Sequence, residues 1–465
     1  MTTAIRQVPQ RRGVELAMLL FAVLAVVAAD AIVDENTRGH LEKDIVYYGV
    51  GFAVIWLIAH VVVRLVAPYA DPLLLPAVAL LNGLGLVLIH RLDFAAEEQA
   101  RQSGQPVPSS DARLQIVWTC IGLALFILVL VVVRNHRVLS RYAYTLALAG
   151  LLLLVLPAVL PARFSEVNGA RVWIRVAGFS IQPGEFAKLT LIIFFASYLV
   201  AKRDVLSLAS RRVLGIDLPR GRDLGPVLVG WVISLLILVR ENDLGQSLLL
   251  FGLFVVMLYV ATERTSWLLI GIVLFVGGAY TAYIAFAHVQ ERVEIWLHPF
   301  KYQADQGYQI VQALFGLGTG GLFGTGLGAG RPETVPFAAT DFIVSTVGEE
   351  LGMFGLVAIL VLYAVISIRG FRIGLAVRDP FGKLLATGLA FSFGLQVFII
   401  VGGVTKLIPL TGLTTPFLSY GGSSLVANFA LIALLLRISD AARRPGSEPA
   451  PRTPTAEAAT EVVRR

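Results

Sequence analysis

The sequence predicts an all-α fold, a polytopic membrane protein of about twelve transmembrane helices. Three observations carry that reading. Hydrophobic residues make up 57% of the 465 positions and charged residues only 15%, far from the balance of a soluble domain. Apolar runs of about 18 residues or more recur, each long enough to cross a bilayer core. The remaining charge gathers in Arg clusters at alternate connections between the runs, the asymmetry that orients membrane helices. A formal charge of +7 would suggest nucleic acid in a soluble protein; here helix orientation explains it, and no nucleic-acid partner is expected. Cys120 is the single cysteine and lies in an apolar run, which leaves no disulfide and no thiolate metal site.

The spans fall at about 15–33, 45–67, 72–90, 114–134, 142–160, 185–201, 225–240, 244–262, 266–288, 342–368, 383–405 and 418–437. No small-residue cleavage site follows the first run, so it reads as a retained helix. With Arg6, Arg11 and Arg12 cytoplasmic, the even-numbered connections should be cytoplasmic and basic. They carry Arg134, Arg137 and Arg141, then Lys202, Arg203, Arg211, Arg212, Arg220 and Arg222, then Arg369, Arg372, Arg378 and Lys383. Arg443 and Arg444 follow the last span, which puts both termini inside. The outer face then receives 91–113, expected to be polar and mobile, with 161–184, 406–417 and a large loop, 289–341, before the helix starting near 342. Pro, Ala, Glu and Thr dominate the end of the chain, so 441–465 reads as a disordered cytoplasmic tail.

Five polar constellations from distant parts of the chain share that outer rim. Asp341 sits where a glycine-dense loop enters a helix; Thr340 before it could cap that helix, and Asp341 itself could simply favour the dipole. Glycines 316, 318, 320, 321, 324, 326, 328 and 330 let backbone pack closely around something or bend sharply. Glu349 and Glu350 lie deeper in the same span, where ionisable groups are costly. Next, Gln182-Pro183-Gly184 turns into a helix in which Glu185 and Lys188 share a face, as an ion pair or as site residues. Third is Asn168-Gly169-Ala170-Arg171-Val172-Trp173, an interfacial anchor or a phosphate contact through Arg171 and Arg175. Glu241-Asn242-Asp243 at a tight hairpin offers a second acid at the depth of Asp341. Finally, Ser419-Tyr420-Gly421-Gly422-Ser423-Ser424 opens a helix whose N–H groups favour an anion, unless the small residues serve close packing; Lys406 lies on the same side.

At these residues the chain resembles the SEDS family of polytopic peptidoglycan polymerases. The resemblance rests on Gln-Pro-Gly-Glu-Phe-Ala-Lys at 182–188, Asp-Leu-Gly at 243–245 and Gly-Gly-Leu-Phe-Gly-Thr-Gly-Leu-Gly at 320–328. Thr-Asp-Phe-Ile at 340–343, Gly-Glu-Glu-Leu-Gly at 348–352 and Pro-Phe-Leu-Ser-Tyr-Gly-Gly-Ser-Ser at 416–424 complete it. Order and spacing match over roughly 72–440, which implies a ten-helix core preceded, in 1–71, by a cytoplasmic segment and two added helices. Gly184 stands where the family usually has Ser, Glu241-Asn242 where it often has Gln-Pro, and Val172 separates Arg171 from the Trp. The long 91–113 loop and short tail are more like the elongation-type branch than the division-type branch.

What the resemblance implies is lipid II as substrate and inverting transfer at the outer face of a bacterial cytoplasmic membrane. A single displacement needs one base, here Asp341, and the leaving pyrophosphate needs cationic or N–H stabilisation. Lys188 is the first candidate for that, with Lys406 and the start of the 421–424 helix behind it; Glu185, Asp243, Glu349, Glu350, Ser419, Tyr420, Ser423 and Ser424 complete the expected substrate contacts. Pyrophosphate suits Mg²⁺ or Mn²⁺, for which Asp341, Asp243 and Glu185 are the candidate ligands, although no metal-ligand spacing establishes a cofactor. Membrane lipid and a class B penicillin-binding protein are the implied partners. A lipid II flippase and a non-catalytic scaffold are the competing classes.

Overall fold

The computed structural model describes residues 10–41, 44–166, 171–176, 179–203 and 243–445; between 204 and 242 it describes only 211–213, 216–218, 225, 229, 231–233 and 235–236. Among the described residues, eleven helices are long and apolar enough to cross a membrane. They are α1 (Arg12–Arg38), α2 (Asp44–Val66), α3 (Leu74–Ser103), α4 (Asp111–Val132), α5 (Ala143–Val159), α6 (Pro183–Ala201), α7 (Leu244–Thr262) and α8 (Ser266–Ala285), followed after two shorter helices by α11, α12 and α13. The shorter pair is α9 (Ala287–Leu297) and α10 (Tyr308–Gly320); the last three are α11 (Ile343–Ala376), α12 (Pro380–Val404) and α13 (Gly422–Arg443). Of the twelve expected spans, 225–240 falls largely outside the described residues, as does the tail beyond Pro445.

Burial sorts the helices. Helices α3 and α13 form the centre; along α13, Leu425 through Asp440 is buried without a break. That explains why these two, with the largely buried α6, carry the least hydrophobic spans of the core: they face protein and not lipid, and tolerate polar side chains such as Asn82, Asn428 and Arg437. Helices α5 and α8 leave most of their apolar side chains outward, as lipid-facing helices do.

Two expectations about loops are corrected. Residues 91–103 do not form a mobile outer loop: α3 runs on to Ser103, supported by Arg101–Glu97 at 2.5 Å and Gln102–Glu98 at 2.8 Å. Gly104, at φ 67°, ends it. Asp93 then accepts from Ser110 Oγ and the Asp111 and Ala112 N–H groups, so the turn into α4 is pinned. The segment 289–341 is likewise structured, holding α9 and α10; residues 312–320, expected as glycine-rich loop, are the second half of α10.

The glycines after α10 have a specific use. Gly352 (φ 67°, ψ −171°) breaks α11 inside the apolar run, and the freed backbone groups find partners in the segment 321–326. Met353 N–H donates to Gly321 O at 2.9 Å, Phe354 N–H to Leu322 O at 3.1 Å, and Thr325 and Gly326 N–H to the carbonyls of Glu349 and Glu350. This arm lies so close that a Cβ at Gly324 would stand 2.2 Å from Glu350 O. The glycines thus admit the protein's own backbone.

Candidate active site

Described residues of four of the five constellations meet at one end of the bundle. A two-stranded hairpin (β1, Ile174–Val176; β2, Phe179–Ile181) leads to Gln182, whose N–H donates to Ser423 Oγ at 2.8 Å. The Gln182 amide reaches Asp243 Oδ2 at 3.4 Å, and Asp243 Oδ1 caps α7 through the Gln246 N–H at 2.9 Å. Gln246 Nε2 then donates to Glu185 Oε1 at 3.0 Å, while Lys188 Nζ bridges Glu185 Oε2 at 2.6 Å and Gln396 Oε1 at 2.8 Å. Gln396 closes the chain on Thr414 O at 3.0 Å. Five elements, α6, α7, α12, α13 and the 405–421 loop, are joined by one continuous polar network.

Asp341 stands beside this network but outside it. Its segment is held by backbone: Ser419 Oγ donates to Thr340 O at 2.6 Å, and Tyr420 N–H to Ala339 O at 2.7 Å. Gln115 of α4 fixes those residues in turn, donating to Ser419 O and accepting from Gly421 N–H. The helix-cap reading fails, because α11 begins without a side-chain cap and Thr340 Oγ1 donates to Phe337 O. Among the described residues, no hydrogen bond reaches the Asp341 carboxylate, which is half-buried across from Gly412. Burial pushes its pKa up to about 6, against the opposing pull of Arg292. Asp243 is pushed to about 6 as well, chiefly by burial and partly by Glu185, while its Gln246 and Gln182 hydrogen bonds and Arg292 oppose.

Arg292 is the residue sequence reasoning missed. It lies on α9, where Arg292 Nη1 donates to Leu410 O at 2.9 Å and Trp296 Nε1 to Lys406 O at 3.0 Å. These side chains, one turn apart, dock α9 on the 405–421 loop and place the guanidinium where both Asp243 and Asp341 act on it. The signal was present in Glu291-Arg292-Val293-Glu294-Ile295-Trp296, a short amphipathic helix inside what reads as a loop.

Several expected contacts have other partners. Lys188, 3% exposed, is enclosed by Glu185 and Gln396, so its charge supports the network rather than facing a ligand. Ser423 holds Gln182, Ser424 accepts from Asn428 Nδ2, and a Cβ at Gly422 would strike Trp118; close packing, not an open anion cradle, accounts for this helix start. Tyr420 hydrogen-bonds Asp111 and, through burial and that carboxylate, is pushed up to about 12. Lys406, half-buried at φ 62°, offers its carbonyl to Trp296. Glu349 accepts from Arg331 N–H at 2.6 Å, and Glu350 pairs with Arg91 at 2.7 Å; Arg91 also holds Gly330 O and Glu333, so both acids anchor the glycine arm. Arg171 pairs with Glu166 in the open, while Asn168, Gly169, Ala170, Glu241 and Asn242 lie outside the described residues. The three acids expected to hold a cation do not form one ligand set. Both Glu185 oxygens are taken, both Asp243 oxygens accept amide hydrogens, and no group of three His, Cys, Asp or Glu suited to a metal occurs among the described residues.

Residues 72–444 match the cell cycle protein family that takes in FtsW, RodA and SpoVE. The chain belongs to that family. It is 53% identical over 458 residues to the peptidoglycan glycosyltransferase RodA of Mycobacterium tuberculosis, covering 98% of this chain and 97% of that one. The Mycobacterium leprae protein of the same name is 51% identical over the same share of each chain. Among solved structures, a mutant of the Thermus thermophilus rod shape determining protein RodA is similar at TM-score 0.54 and 27% identity, over 80% of this chain and 97% of that chain. A chain from a peptidoglycan synthase complex studied for coordination of polymerization and crosslinking is similar at the same score and identity, over 90% and 96%. The RodA relatives extend over the two helices ahead of residue 72, whereas the family model does not.

Proposed function

We propose that this chain is a peptidoglycan glycosyltransferase that polymerises lipid II by inverting transfer, with Asp341 as the general base. The observation that carries the reading is the state of Asp341: among the described acids of the assembled site, its carboxylate is the one that receives no hydrogen bond, at a pKa of about 6. Such a group is largely ionised at neutral pH and basic enough to take a proton. The 4-hydroxyl oxygen of the acceptor N-acetylglucosamine attacks the anomeric carbon of the donor N-acetylmuramic acid, and Asp341 takes its proton. The bond from that carbon to the pyrophosphate oxygen breaks, and polyprenyl pyrophosphate leaves with the electron pair. One displacement inverts the centre, which needs one base and no carboxylate nucleophile.

The leaving group departs as an anion and needs positive charge rather than an acid. Arg292, already beside Asp341 and Asp243, is better placed for this than the enclosed Lys188. Asp243, Glu185 and Lys188 then keep α6, α7 and α12 in register around the site. No step runs through a divalent cation, because Glu185 and Asp243 are committed to protein partners.

The basic connections argue for Asp341 at the outer face, both termini inside, and a class B penicillin-binding protein as the partner that cross-links the product. Purified protein given lipid II should form glycan strands, and Asp341→Asn should not. Wild-type rates from that variant would sink the base assignment. Fluorescent lipid II crossing vesicles without any polymer would favour a flippase instead.

A further inference from the structure

The two added helices enclose something with the core. Between α1 and α2 on one side and α3 and α4 on the other lies a chamber of about 580 Å³, within the range of small-molecule sites. Its lining changes character along the membrane normal in the same sense on all four helices. Toward mid-membrane it is apolar, with Val26 on α1, Phe52 and Ile55 on α2, Leu86 on α3 and Ile116 on α4. Toward the Asp341 end it is polar: Arg38, Tyr48, His90 and Asp93 occupy the corresponding later or earlier turns. From Val26 to Arg38 is about 18 Å along the helix at 1.5 Å per residue, the depth of one leaflet.

The polar mouth is built, not incidental. His90 Nδ1 lies 3.2 Å from Asp30 Oδ1, and the Arg38 guanidinium lies 3.8 Å over the Phe94 ring. Both charge signs are present, with Asp30, Asp93 and Glu97 against Arg38 and Arg113. A purely anionic headgroup would meet the acids; a zwitterion can set its phosphate toward Arg38 and its ammonium toward the carboxylates and tyrosine rings.

We propose that this chamber binds a single zwitterionic, amine-bearing phospholipid, with a tail along Val26, Phe52 and Leu86 and its headgroup among Arg38, His90 and Asp93. The bound lipid completes the contact between the added hairpin and the core. It also sits behind the end of α1 that touches the glycine arm, where Asn36 Nδ2 donates to Leu327 O at 2.6 Å.

Gly51 supplies a direct test. It lines the chamber, and a Cβ there meets nothing within 4 Å, so a side chain added there starts from the chamber wall without a backbone clash. The full-length protein, delipidated in detergent, is titrated with phosphatidylethanolamine or phosphatidylglycerol of identical tails and weighed intact by native mass spectrometry. One phosphatidylethanolamine should remain per wild-type chain. Gly51→Phe should retain at least about tenfold less, at an unchanged unfolding midpoint. Arg38→Gln, which leaves the chamber open, should weaken retention too. Equal retention by Gly51→Phe, no lipid on the wild type, or a preference for phosphatidylglycerol would each overturn the proposal.

Discussion

Asp341 and Asp379 occupy matching positions at opposite ends of the bundle. Each stands just ahead of a long apolar helix, Asp341 before α11 and Asp379 before α12. Burial acts upward on both. Asp379 nonetheless ends at about 2, because His136 Nε2 at 2.9 Å, the Gly382 N–H at 2.7 Å and Arg137 at 3.3 Å all favour its charged form. Among the described residues, Asp341 has only the field of Arg292 to oppose burial and ends at about 6. One carboxylate is spent on structure and the other is left able to exchange a proton. The Asp379 end as a whole is closed in this way: Asp71 accepts from Arg369 and Arg443 at 2.7 and 2.6 Å, Asp440 accepts from Tyr69 N–H, and Glu15 is paired with Arg12 and His60.

The contrast can be broken at either end, and the largest effect should come from Asp341. Asp341→Asn should lower lipid II polymerisation by about 10²–10⁴-fold with the unfolding midpoint unchanged, the loss of a general base and nothing else. Asp71→Ala should do the reverse, costing about 3 kcal/mol of stability by leaving Arg369 and Arg443 facing each other without their shared anion. Thermal unfolding in detergent reads that directly.

Asp379→Ala should cost about 2 kcal/mol through loss of the cap and the charge partners. Its pH signature follows from the depressed pKa. The stabilisation is full above the ordinary carboxylate range and disappears as pH falls toward about 2, so wild type and variant should converge in acid.

Activity should carry a different signature. The ionised form of Asp341 is lost as pH falls through about 6, so the rate should drop tenfold per unit below that. Arg292→Gln removes the influence that lowers this pKa; the acid limb should move to higher pH and the rate at neutral pH fall by about tenfold. A limb that stays in place would separate Arg292 from Asp341. At the small end, Arg171→Ala breaks an exposed pair and should change stability by less than about 1 kcal/mol.

Sequence alone reached the membrane class, the starts of the described spans to within four residues, and the gathering of most of the polar motifs at one end, but not how far α3 and α11 run on. All of these are written in local composition: apolar runs long enough to cross, and Arg clusters at alternate connections. The candidate base was legible for the same reason, as an acid at the lip of a span. What each polar residue is bonded to was decided by tertiary structure, because pairing depends on elements far apart in the chain. Lys188 meets Gln396 and Glu350 meets Arg91 only when α6 packs on α12 and α3 on α11. Arg292 stayed hidden inside an apparent loop, and the glycines after α10 could not be assigned until the break at Gly352 brought a second backbone against them. The role proposed for Asp341 rests on the same kind of fact, the absence of a hydrogen-bond partner for its carboxylate among the described residues, which local sequence does not carry.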